Sequence, residues 1–252
     1  MPHKKVVLAY SGGLDTSYCI PYLTRELGLE VHAVTVDTGG FQPSQFKALE
    51  ERALALGAHS FKVVNAVPAY YEQCLRFLIF GNVLRYQTYP LSVSAERMFQ
   101  ALEVAKYAKA INAGKVAHGS TGAGNDQVRF DLVFRILAPE LEIITPIRDQ
   151  RLSREQEIAY LQKLGFGWTW DRAKYSINQG IWGTSVGGAE TLTSSKPLPE
   201  EAYPTHCTRT QSEDIAIEFE HQGYLLAGQN RLGKAVRGLS YLRVAPLLSS
   251  KW

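Results

Sequence analysis

Two rhythms of apolar and polar positions run through the first two-thirds of the chain. Short runs rich in β-branched residues, bounded by glycine or polar turns, predict strands at Lys5–Tyr10, Val31–Val36, Ser60–Asn65, Lys115–His118 and Leu141–Thr145. Between the second and third, Phe46, Leu49, Ala53 and Leu56 recur at helical spacing, with Gly57 as a stop. Between the third and fourth, Met98, Ala101, Leu102, Ala105 and Ala108 do the same. Such alternation predicts an α/β fold, a doubly wound parallel sheet with helices on both faces. In sheets of this kind ligands gather at the carboxyl ends of the strands, beside a switch in strand order.

After Thr145 the rhythm changes. "SREQEIAYLQKLGF" predicts a helix with Ser153 as N-cap and Gln156 completing a capping box. "SINQGIWGTSVGGAETLTSS" is rich in Gly, Ser and Thr and reads as a loop of the kind that binds ligands on a scaffold. "DIAIEFE", Asp214–Glu220, alternates apolar and charged residues as a half-buried strand does.

Composition narrows the class. No apolar run approaches the roughly 18 residues of a spanning helix. The apolar stretch before the first glycines is too short for a secretory signal, so a cytoplasmic protein is expected. Cys19, Cys74 and Cys207 form neither a CxxC pair nor a zinc spacing. Net charge is +3, but the five basic and no acidic residues of 221–252 account for all of the excess; residues 1–220 carry 22 basic and 24 acidic groups, net −2. A body without positive excess argues against nucleic acid as a partner.

The candidate chemistry starts at "VVLAYSGGLDTSYCI", Val6–Ile20. A strand ending at Tyr10 places Ser11-Gly12-Gly13 at the sheet's carboxyl edge, where glycines let main-chain N–H groups turn around an anion. A helix from Leu14 to Leu23 adds its N-terminal dipole and free donors. Ser11, Thr16 and Ser17 supply hydroxyls, and Asp15 can hold a metal ion or cap the helix. No lysine lies in the loop, so this is not the Walker pattern. Pro21 falls inside the expected helix, which predicts a kink or a looser turn.

"SGGLDTS" resembles the pyrophosphate-binding loop of the PP-loop ATP pyrophosphatases, whose fold is adenine nucleotide alpha hydrolase-like. Within them "HGSTGAGNDQVRF" (His118–Phe130), "TYPLSVSAER" (Thr88–Arg97) and "KYSINQGIWGTS" (Lys174–Ser185) resemble the argininosuccinate synthase family. The resemblance runs in order from Lys4 to about Glu220. It implies an enzyme, a ligase of arginine biosynthesis that joins citrulline to aspartate through citrullyl-AMP and releases AMP and pyrophosphate. ATP would be bound by Ala9, Tyr10, Ser11, Gly12, Gly13, Leu14, Asp15, Thr16 and Ser17, with Val36 and Gly119. Aspartate would meet Thr121, Asn125 and Asp126; citrulline would meet Tyr89, Ser94, Asn125, Arg129, Ser176 and Ser185. Asp15 and Asp126 are the implied catalytic residues. No metal ligand set of the protein's own is implied, since Mg2+ comes with ATP. "VTVDTGG" departs from the family's alanine at Val36 and asparagine at Asp37, and the larger Val36 side chain narrows the purine slot.

The organisation implied is a nucleotide-binding domain over 1–170, the beginning of a synthetase domain over 171–220, and an atypical basic tail over 221–252. Beyond Glu220 the chain matches none of the family's later segment, so a truncated second domain is expected. The resemblance implies a homo-oligomeric family whose later segment ties its subunits together, and tetramer formation is not expected of this chain. Two other readings share the loop: a non-catalytic ATP-binding remnant, and another PP-loop enzyme that adenylates a different carbonyl oxygen.

Overall fold

The computed structural model describes residues 4–168, 175–187, 189–193 and 195–206, and beyond them the backbone of strands 215–219, 225–230 and 235–236. The chain divides into two units, residues 1–68 with 94–172 and residues 69–93 with 173–252.

The first unit is built on five parallel strands: β1 (Lys5–Ala9), β2 (Glu30–Asp37), β3 (Ser60–Asn65), β4 (Lys115–His118) and β5 (Glu142–Ile144). Their spatial order is β3-β2-β1-β4-β5, so the direction of winding reverses between β1 and β4. Ala9 is level with Val34 on one side and His118 on the other. All five strands predicted from the sequence are present, with ends shifted by a residue or so.

Burial on both faces explains why β1 reads as an unbroken apolar run. Val6, Val7 and Leu8 are fully buried, each stabilising the fold by roughly 2 kcal/mol. Val6 and Leu8 join one core with Val31, Ala33 and Ala117, covered by helices α1 (Leu14–Pro21) and α2 (Pro43–Ala55). Leu161 of α8 (Arg154–Lys163) and Ile147 of the short α7 (Pro146–Gln150) complete that layer. Alternate strand residues serve the opposite layer, where His118 stacks on Phe130 of α6 (Asp126–Leu137). Of the positions expected from spacing on α5 (Ser92–Ala110), Ala101, Ala105 and Ala108 are buried, whereas Leu102 is half-buried and Met98 is exposed; Val104, outside that pattern, is buried as well.

Pro21 has the predicted effect. The α-helical pattern stops there and the chain continues as a wider π turn, Tyr22–Glu26, in which the Leu27 N–H donates to the Tyr22 carbonyl at 3.3 Å. The ring has no N–H for the ordinary ladder, and the wider turn carries the helix past the gap. The capping box of α8 also forms: the Gln156 N–H donates to Ser153 Oγ at 3.3 Å, and the Ser153 N–H to Gln156 Oε1 at 2.8 Å.

The second unit is entered through α3 (Val67–Tyr70), a π turn (Tyr71–Leu75) and α4 (Arg76–Phe80). The stretch expected to be a loop is instead a hairpin of β6 (Ser176–Gly180) and β7 (Gly183–Gly187), closed by Ile181 and Trp182. Glycines bracket this turn, and Gly183 takes a φ of 123° that other residues avoid. Ile181 is buried and the Trp182 indole N–H donates to the Pro90 carbonyl at 2.6 Å, contacts that come from residues distant in sequence. A further antiparallel sheet holds β8 (Ile215–Phe219), β9 (Leu225–Asn230) and β10 (Ala235–Val236). β8 realises the strand expected in "DIAIEFE"; its side chains, like Cys207 and residues 237–252, lie outside what the structure describes.

Candidate active site

The reversal of winding leaves a crevice at the carboxyl ends of β1 and β4, and two loops open there: residues 10–13 and residues 119–125. The first is self-organised. Gly12 takes a φ of 78°, and a side chain there would run into Leu49. Ser11 Oγ lies 3.2 Å from Thr16 Oγ1 and accepts the Gly13 N–H at 3.4 Å. Thr16 Oγ1 donates back to the Gly13 carbonyl at 3.3 Å, and the Ser17 N–H donates to the same carbonyl at 3.0 Å. The hydroxyls noted in the sequence thus hold the turn onto the start of α1.

Other residues brace this loop that no local pattern marks. Arg52 of α2 donates to the Gly12 carbonyl at 3.0 Å, with its guanidinium 5.5 Å over the Trp168 ring. The Tyr10 and Ser17 hydroxyls are buried without a well-formed hydrogen bond. Burial raises the Tyr10 phenol, with Ser17 and Arg52 pulling it back in part. Asp15 and Glu157 of α8 bring two carboxyl groups together. Burial, then the charge of Asp15, pushes Glu157 up to about 8. Burial also raises Asp15. Glu157 therefore favours its neutral form at neutral pH. Asp15 faces α8 in this arrangement.

Val36, one residue before the end of β2, is buried and level with Val64. Just beyond it, Thr38 donates to Glu96 Oε1 at 3.0 Å, and Gln100 reaches the same oxygen at 3.0 Å. Burial raises the Glu96 carboxyl although Arg97 lowers it.

The loop after β4 approaches the first one closely at Gly119. A Cβ there would lie 3.1 Å from the Thr16 nitrogen and 3.2 Å from the Asp15 carbonyl carbon, so only glycine fits without moving backbone. Asp126, at the start of α6, accepts from Arg129 at 2.6 Å and from Arg97 at 3.2 Å. Arg129 also donates to Ser94 Oγ at 3.0 Å. Four of the residues implied by the resemblance, Ser94, Asp126, Arg129 and Gly119, are thereby gathered with Arg97 in the same unit as the phosphate-type loop. Thr121 and Asn125 stand exposed on the loop itself.

Tyr89, Ser176 and Ser185 belong to the second unit. Tyr89 Oη accepts the Val93 N–H at 3.1 Å. Ser176 and Ser185 lie on the hairpin, level with Gly187 and Asn178. Among the described residues no three His, Cys, Asp or Glu side chains cluster as metal ligands would, and no helix is long and apolar enough to cross a membrane.

Residues 5–166 match the family described as arginosuccinate synthase N-terminal HUP domain. The chain belongs to the argininosuccinate synthase family. Curated argininosuccinate synthases similar to it include those of Saccharolobus solfataricus, 40% identical over 86% of this chain and 55% of the relative, and Methanocaldococcus jannaschii, 40% identical over 85% and 54%. The enzyme of Prochlorococcus marinus strain MIT 9515 is 38% identical over 95% of this chain and 61% of its own. The chain thus spans somewhat more than half the length of the curated relatives it matches.

Proposed function

We propose that this chain binds Mg-ATP at the β1–β4 crevice and ligates citrulline to aspartate, as its family's name implies. The observation that carries the reading is the contact of Gly119 with the Asp15–Thr16 backbone, which joins the two ligand-type loops at the switch in strand order. In this scheme the turn from Ala9 to Ser17, with Ser11, Gly12, Gly13 and Leu14, wraps the leaving pyrophosphate with main-chain N–H groups. The buried Ser17 hydroxyl is a further donor for it. Val36 and Gly119 border the rest of the nucleotide. Mg2+ enters as part of the substrate and neutralises phosphate charge.

The citrulline ureido oxygen attacks the α-phosphorus, and pyrophosphate leaves. The aspartate amine, having lost its proton, then attacks the ureido carbon and expels AMP. Arg129 suits a bidentate grip on a carboxylate, Thr121 and Asn125 suit the aspartate carboxylate, and Asp126 suits its ammonium group. Ser94 adds a citrulline contact in this scheme. Positioning and electrostatics supply most of the barrier reduction, with little covalent work for the protein. The same reading makes the protein cytoplasmic.

A pyrophosphate-release assay with ATP, Mg2+, citrulline and aspartate, each omitted in turn, tests this. Release that requires citrulline is expected. ATP binding without release would favour the second reading, an ATP-binding module. Asp126→Ala is expected to abolish product while ATP stays bound; equal loss of ATP binding would overturn the allocation of that loop.

A further inference from the structure

The loop over 119–125 contains three glycines and is mostly exposed, so its own sequence does little to hold it in one shape. Its shape is held from outside. At its start the Ser120 N–H donates to His118 Nδ1 at 3.3 Å. That leaves the imidazole proton on Nε2, which donates to Asp131 Oδ1 at 3.0 Å. The other oxygen of Asp131 accepts from Arg148 Nη1 at 2.8 Å, and the same nitrogen donates to Gln127 Oε1 at 3.1 Å. Gln127 Nε2 then donates to the carbonyls of Gly122 at 2.7 Å and Gly124 at 3.3 Å. The stem of Arg148 also lies beneath Gly122, where an added Cβ would meet its Cγ at 3.7 Å.

These bonds close a ring from one end of the loop to the other, through β4, α6 and α7. His118, Asp131, Arg148 and Gln127 all lie in the first unit, and none carries a role in the reading above. Removing Gln127 frees the far end of the loop, and removing His118 or Arg148 leaves the Asp131 carboxylate short of a donor. Among the described residues, no hydrogen bond joins the turn over 10–17 to the ring.

We propose that Arg148 and Gln127 are positioning residues that, with His118 and Asp131, hold Thr121 and Asn125 in place for the amino-acid substrate while leaving nucleotide binding alone. The amino-acid part rests on the function proposed above; the ring does not.

The test uses the full chain with Gln127→Met, which keeps the volume and removes three hydrogen bonds, and Arg148→Lys, which keeps the charge. Amide hydrogen exchange without ligands reads the ring directly. Expected for Gln127→Met is about tenfold faster exchange confined to residues 120–125, with the melting midpoint nearly unchanged. Affinity for aspartate, measured with citrulline and a non-hydrolysable ATP analogue present, is expected to fall about tenfold while affinity for the analogue stays within about twofold. Arg148→Lys is expected to lie between parent and Gln127→Met on both readouts. Unchanged exchange overturns the ring. Faster exchange with unchanged aspartate affinity overturns the positioning role, and a parallel fall in nucleotide affinity shows a general structural role instead, which also overturns it. If the parent binds no aspartate, the proposed function has failed, and exchange alone then decides the ring.

Discussion

The turn after β1 and the loop after β4 meet at the same reversal of strand order, yet they are stiffened by different means. The first is tied together almost entirely by its own residues, Ser11, Gly13, Thr16 and Ser17, whose bonds span five positions or fewer. The second draws its restraints from further along the chain, His118 to Asp131 to Arg148 and back through Gln127. A self-tied turn is preformed for a ligand that recurs in one shape, such as a string of phosphates. An externally braced loop can be adjusted through residues that never touch the ligand.

The strongest way to break that division is at Gly119, where the second loop packs on the Asp15–Thr16 backbone. Gly119→Val would drive a side chain into the Thr16 nitrogen and Asp15 carbonyl, backbone that has no low-cost way to yield. A loss of ATP-analogue affinity on the order of a hundredfold is expected in an equilibrium titration, about 2.7 kcal/mol. Affinity near that of the parent would show that the loops need not meet.

A smaller effect sharpens the claim that the first turn is self-tied. Arg52→Ala removes the donor at the Gly12 carbonyl. Its expected cost is about tenfold in analogue affinity, with the Ser11–Thr16 turn still protected in amide exchange. Collapse of that protection would make Arg52 its true support.

The buried carboxyl pair beneath the turn gives a pH test. Glu157 titrates near 8 in the folded chain against an ordinary value of 4.5. The folded state therefore keeps a proton that the unfolded chain gives up. The stability this contributes is full below about 4.5 and is lost as pH rises through about 8. Glu157→Gln is expected to flatten that slope and raise the melting midpoint at pH 8.5 by about 3 °C. An unchanged slope would remove Glu157 as its cause. The smallest effect serves as a control on the same helix: Ser153→Ala should cost about 1 kcal/mol in denaturant unfolding without altering analogue affinity.

Much of the first unit was legible before the structure. Strands buried on both faces write continuous apolar runs, and caps such as Ser153 with Gln156 act over three residues, so both show in any short window. The Gly-Gly and hydroxyl cluster after β1 was legible for the same reason. Pro21 announced a defect, although the sequence left open whether the helix would kink or loosen. The hairpin over 176–187 was missed because its strands are short and rich in Gly and Ser. The residues that stabilise it, such as Pro90 against Trp182, lie far away in the chain.

Sequence alone thus determined the order of strands and helices, the stop signals, and the chemistry available in each loop, since all of these depend on near neighbours. Tertiary structure decided which loops share a crevice, which carboxyl group is pushed towards its neutral form, and which distant arginine braces the second loop. Those outcomes follow from the reversal between β1 and β4, which brings together residues a hundred positions apart and which no local pattern encodes.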